Sequence, residues 1–218
     1  MMRLPYLFVA MTVMALVLSA VAQDTGSKAS YLTWSAAQAE RIAKATRVNG
    51  RVGGFFDLRV VHTEHSYNYK LRATWLTKDV IQATARLLQL SERLTDSQTE
   101  DLVQEATAAG DVVIMVEVDP REGSGVIPND WSVFLGPSGN DRDVARGTSS
   151  PALEKLKALR GGYRRDFNYE LFWVVFPLKT ANGEPLFPIG VAQAALTVRI
   201  SGKEGRVSFM IPTYLHAK

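Results

Sequence analysis

The chain has 218 residues, enough for one domain or two small ones with a sizeable core. A content of 46% hydrophobic and 22% charged residues excludes a long disordered chain, a collagen-like repeat and a multi-span membrane protein. The formal net charge of +3 does not by itself imply nucleic acid, and the absence of cysteine excludes disulfides, thiolate metal sites and a cysteine nucleophile.

The first 22 residues carry one charge, Arg3. A run that is apolar or small except for three hydroxyl side chains then ends at Ala20-Val21-Ala22. A basic end, an apolar stretch and an A-x-A site are the layout of a secretory signal, with Gln23 as the first mature residue. The alternative is a membrane anchor through residues 4–22. The segment after the run lacks the basic cluster of a stop-transfer flank, which favours cleavage and leaves no stable membrane span. The expected location is therefore the periplasm or the extracellular space. Residues 23–54 read as a mobile leader and a short helix. Residues 55–218 read as a single β-rich domain.

Ser35 and Gln38 have capping-box spacing before an alanine-rich stretch, so a helix is expected over residues 36–47, stopped by Asn49-Gly50. From Phe55 the apolar period becomes two. Residues 55–60 and 67–75 read as strands, joined by a turn over residues 62–66. A helical hairpin is expected at about residues 78–109. Thr77 would cap its first helix, with Val80, Ile81, Thr84, Leu87 and Leu88 inside. Thr95 and Gln98 form a second capping box, and Gly110 is the stop.

Residues 112–116 and 171–176 are apolar on both faces and read as central strands. Residues 131–135 form a short strand, and residues 151–159 a short helix capped by Ser150. Residues 195–200 and 206–211 alternate cleanly around a turn over residues 201–205. The expected fold is mainly β, an antiparallel β-sandwich-like domain with an inserted helical hairpin. The alternative is an α+β fold, one antiparallel sheet backed by helices.

Four segments could carry chemistry. His62, Glu64 and His65 resemble ligands, but on a strand they cannot converge, and no known helical zinc spacing is present. Asn140, Asp141 and Asp143 lack the calcium-loop pattern. No metal and no cofactor are therefore expected. Residues 161–169 interleave basic and aromatic side chains, but export and the low charge argue against nucleic acid. The loop over residues 119–131 joins two strands. There Arg121 could grip a carboxylate, Asp130 adds a polar group, and Trp131 could stack on a flat ligand or a sugar. Arg121, Asp130 and Trp131 are the expected binding residues.

No nucleophile elbow, phosphate loop or dinucleotide fingerprint is present. The expected function is a non-catalytic exported binding or interaction module, whose partner is a protein or an envelope component. The alternative is an exported hydrolase drawing on Asp119, Glu122, Asp130 and His62.

Overall fold

The computed structural model describes residues 29–53, 68–120, 130–140, 143–159 and 170–216. Its helices are α1 (Ala36–Lys44), α2 (Lys78–Glu92) and α3 (Asp96–Thr107). Its strands in chain order are β1 (Arg47–Val52), β2 (Tyr69–Trp75), β3 (Val112–Pro120), β4 (Ser132–Pro137), β5 (Ala145–Arg146), β6 (Thr148–Ser149), β7 (Glu170–Phe176), β8 (Gln193–Ile200) and β9 (Lys203–Met210). They form two antiparallel sheets, ordered β1-β2-β3-β7-β6 and β5-β4-β8-β9. Among the described residues the protein is mainly β with three α-helices, as the alternation of its apolar residues implies. The two sheets overturn the single-sheet alternative.

The period-two pattern decides which face of each strand is buried. Tyr69, Leu71, Ala73 and Trp75 of β2 face the same core as Val112, Ile114, Val116 and Val118 of β3. Leu196, Val198 and Ile200 of β8 and Val207 and Phe209 of β9 meet them from the second sheet. Trp75 sits at the centre, with Phe187 and Phe209 at centroid distances of 5.7 and 5.6 Å.

The other face of the five-stranded sheet carries the helices. Val113 and Met115 of β3 and Trp173 of β7 pack under Val80, Ile81 and Ala85 of α2 and Val103 and Ala106 of α3. Strand β3 is therefore covered on both sides, and its continuous apolar run reports that position. The resulting layers are sheet, sheet and helices.

Both helices of the hairpin begin as their caps dictate. The Thr77 hydroxyl accepts from the Val80 N–H, and Thr95 and Gln98 form a reciprocal capping box. Arg93, at φ 56°, ends α2 in the left-handed conformation. Leu87 and Leu88 are only half-buried, while Ala83 and Ala85 take inner places.

Several boundaries differ from expectation. Helix α1 stops at Lys44, and Asn49-Gly50 lies inside strand β1, opposite Arg72 and Leu71. Local stop signals yield there to a full ladder with β2. Tyr31 and Leu32 are buried under the helices, so the docked chain begins earlier than the leader reading expects. Residues 151–159 form two 3-10 turns, Pro151–Lys155 and Lys157–Leu159, and the Ser150 side chain caps neither. The β8–β9 turn is two residues long. Ser201 and Gly202 take φ 48° and 72°, a tight-hairpin geometry that lets Lys203–Gly205 join the ladder. The expected strand over residues 55–60, its turn at 62–66 and the N-terminal 22 residues lie outside the described residues.

The two sheets also meet along both sides. On one side β1 lies against β9, where the Gly53 N–H donates to the Glu204 carbonyl at 3.1 Å. On the other, the chain passes from β5 in one sheet to β6 in the other within one residue, Gly147. A Cβ at Gly147 would collide with Val174 and Phe176, so this crossing requires glycine.

Candidate binding cleft

The crossing at Gly147 creates a fork. Strand β5 pairs with Phe134 and Leu135 of β4, and the Gly147 N–H still donates to the Val133 carbonyl at 2.9 Å. The chain then turns away, and Thr148 and Ser149 pair with Val175 and Val174 of β7. Trp131 and Ser132, at the start of β4, are left opposite the departing β6. Between them opens a cleft of about 420 Å³, lined by Trp131, Ser132, Val133, Arg146, Gly147, Thr148, Ser149 and Val174. Its volume falls in the range of small-ligand sites.

The lining divides by chemistry. Val133 and Val174 are buried and belong to the inter-sheet core, giving an apolar floor. Trp131 forms one wall. Its indole lies 4.3 Å from the Phe172 ring, tilted by 45°, and it is half-buried. Ser132, Thr148 and Ser149 are its small polar lining residues; of the β6 pair, Ser149 shares the side of the core-facing Val174 and Thr148 that of Val175. Arg146 is exposed at the rim and makes no ion pair among the described residues. An aromatic wall, an apolar floor and a few polar groups together suit orientation of a compact ligand.

The expected site residues separate. Trp131 lines the cleft. Asp130 turns to the β8–β9 hairpin, where its Oδ1 accepts from the Ser201 hydroxyl at 3.2 Å. Nearby, burial raises the Tyr69 hydroxyl above its ordinary value of 10.0. The Asp130 carboxylate adds to that rise, and a hydrogen bond with Ser201 partly opposes it. Arg121 lies outside the described residues, as do Glu122, His62, Glu64, His65, Asp141 and residues 161–169.

Asp119 is placed differently from Asp130. It lies on the helix-side face of the five-stranded sheet, 3.2 Å from Lys70. Two residues before it on the same face, Glu117 lies 3.4 Å from Arg72. Both carboxylates are at least nine-tenths buried and paired to cations of β2. Tyr69, the neighbour of Asp130, faces the opposite side of that sheet. The structure thus does not join Asp119 and Asp130 in one cleft.

Asn140 and Asp143 engage each other, Nδ2 donating to Oδ2 at 2.7 Å. Among the described residues no cluster of three metal-ligating side chains occurs, and no helix is long and apolar enough to cross a membrane. Sequence reasoning missed Arg146, Thr148, Ser149 and Val174 because they reach Trp131 only through the sheet crossing. A glycine between two short polar pairs, Ala145-Arg146 and Thr148-Ser149, was the available signal. No family model, curated protein or solved structure matches the chain.

Proposed function

We propose that this protein is an exported, non-catalytic binding module that seats a compact envelope component in the Trp131 cleft. The observation that carries the reading is the fork at Gly147. It sets an indole wall and small polar residues around an apolar floor, with Arg146, which makes no ion pair among the described residues, at the rim. The export part rests on the basic end, apolar run and A-x-A site of residues 1–22. Pre-shaped sites on rigid β scaffolds favour recognition, since the framework bears the ordering cost before the ligand arrives.

The test has two arms. The intact mass of the protein recovered from its own cell envelope should correspond to a chain starting at Gln23; retention of residues 1–22 would overturn export. Immobilised protein, washed with an extract of the same envelope, should retain a small component that Trp131→Ala and Arg146→Ala both release. Retention of nothing, or equal retention by both variants, would overturn binding at the cleft.

A further inference from the structure

We infer that the outer face of the four-stranded sheet is a docking surface for an anionic lipid bilayer. The inference goes beyond the cleft reading and uses a different face of the molecule.

Alternation turns the core side chains of β4, β8 and β9 inward, so the residues between them point outward. Register then sets these in rows across the sheet. Arg146, Phe134, Thr197 and Arg206 share one row, and Ser132, Arg199 and Glu204 share the next. The α-helices of the described residues pack on the other sheet or on one another, not on this face.

Three guanidiniums thus stand on one face with one carboxylate, Glu204, in the described strands. Glu204 is shared, at 2.9 Å from Arg199 and 3.5 Å from Arg206. Beyond the sheet edge, Asp143 is engaged by Asn140. The strands keep a positive excess on this face, which draws it to a negatively charged surface.

Two apolar exceptions lie at one end of the same sheet. The outward series of β9 runs Glu204, Arg206, Ser208 and then Met210, which is 68% exposed. Met210 pairs with Gln193 at the start of β8, and beside it the Ile211 N–H donates to the Ala192 carbonyl at 3.0 Å. The turn that leads into this rung holds Ile189 at its tip. The Val191 N–H donates to the Pro188 carbonyl at 3.3 Å, Gly190 takes φ 94°, and Ile189 is 82% exposed. Turn positions favour Gly, Pro, Asn, Asp and Ser for their backbone geometry, so the turn itself does not call for an isoleucine. Ile189 and Met210 can enter the acyl boundary while the long arginine side chains reach the headgroups.

A nucleic acid or a sugar would need an open ring to stack on. The Arg199 guanidinium takes that place, 5.0 Å from the centroid of the Phe134 ring. An acidic protein would call for an apolar centre with a polar rim. Here the order is reversed, with charges across the face and the aliphatic side chains at its end.

The chain from Gln23, which excludes the apolar N-terminal run and keeps every described element, is sedimented with vesicles of phosphatidylcholine, with and without phosphatidylglycerol. Binding should be at least about tenfold tighter with phosphatidylglycerol and should weaken as salt rises. Arg199→Gln with Arg206→Gln should lose at least about tenfold on those vesicles. Ile189→Ser with Met210→Ser should lose about tenfold as well. All four positions are exposed, so the folded spectrum should persist. Lys44→Gln, on the exposed side of α1 in the helix layer, should change nothing. Equal binding to both vesicles, binding to neither, no loss in the arginine pair, or an equal loss in Lys44→Gln overturns the inference. Binding untouched by the Ile189–Met210 pair, or tighter binding to soluble poly-glutamate than to vesicles, makes the partner a soluble acidic chain and overturns the bilayer. The cleft reading is judged apart from all of these, because its test reads Trp131 and Arg146.

Discussion

Gly205 of β9 and Val52 of β1 meet so closely that a Cβ on Gly205 would lie 2.8 Å from the Val52 Cα, and closer still to the Arg51 carbonyl. The obstacle is backbone on a neighbouring strand, which cannot rotate away. Gly205→Ala should therefore cost about 2–3 kcal/mol, at the upper end for overpacking. Gly50→Ala, which meets the Val207 side chain at 2.5 Å, should cost less because a side chain can shift. Urea unfolding of the two variants checks this, and a Gly205→Ala protein as stable as the parent would show that β1 and β9 are not held together.

Trp75 fills the space between the sheets against Phe187 and Phe209. Trp75→Ala should lose about 3–5 kcal/mol, combining lost burial with an unfilled cavity. The same denaturation experiment reads it, and a loss below about 1 kcal/mol would mean the core collapses around the gap.

The two ion pairs Arg72–Glu117 and Arg199–Glu204 resemble each other in geometry but not in burial. The Glu117 side chain is 9% exposed, whereas the Arg199 side chain is 56% exposed. Glu117→Ala takes the carboxylate from a partly buried guanidinium, which keeps its hydrogen bond to Asn49 Oδ1, and should cost about 2–3 kcal/mol. Arg199→Ala should cost no more than about 1 kcal/mol. Similar losses for both would remove burial as the deciding factor.

The capping box of α3 satisfies two backbone donors reciprocally, with the Gln98 N–H reaching Thr95 at 3.2 Å and the Thr95 N–H reaching Gln98 at 2.9 Å. Thr95→Ala should cost about 1 kcal/mol. The double variant with Gln98→Ala should cost less than the sum of the single losses, since each side chain supports the other. Strict additivity would mean the two bonds act independently.

Burial raises the hydroxyl pKa of Tyr31, Tyr69 and Tyr214 above 10.0. The folded chain thus holds these phenol protons more tightly than the unfolded chain does. Their contribution to stability is complete below pH 10, the ordinary value, and is lost as pH rises through the higher folded values. Alkaline titration should show phenolate absorbance lagging behind free tyrosine, with stability falling in that window. Tyr69→Phe should flatten part of the fall; an unchanged profile would discount Tyr69 as a contributor.

Much of the fold was legible because its signals are local and repetitive. The alternation from Tyr69 to Trp75, the Thr77 and Thr95 caps and the inward set Leu196, Val198, Ile200, Val207 and Phe209 all lie where their periods place them. What escaped depends on partners distant in sequence. Asn49-Gly50 carries a helix-stop signal but pairs with Arg72 and Leu71, so tertiary pairing outweighs it. Pro151 opens a 3-10 turn instead of a helix, and the next turn ends at Leu159, whose carbonyl accepts the Trp173 indole N–H at 3.0 Å. Trp131 was visible as a strand-start aromatic. Its cleft was not, because the facing wall comes from a chain crossing that no local period encodes.

The contact between β1 and β9 joins the earliest and the latest strands of the described chain. Closing it means bringing together segments that every other described strand separates, a long-range loop closure. A growing chain can assemble the α2–α3 hairpin and the β2–β3 pair as they appear. The seam at Gly205 must wait until nearly all of the described strands have been synthesised.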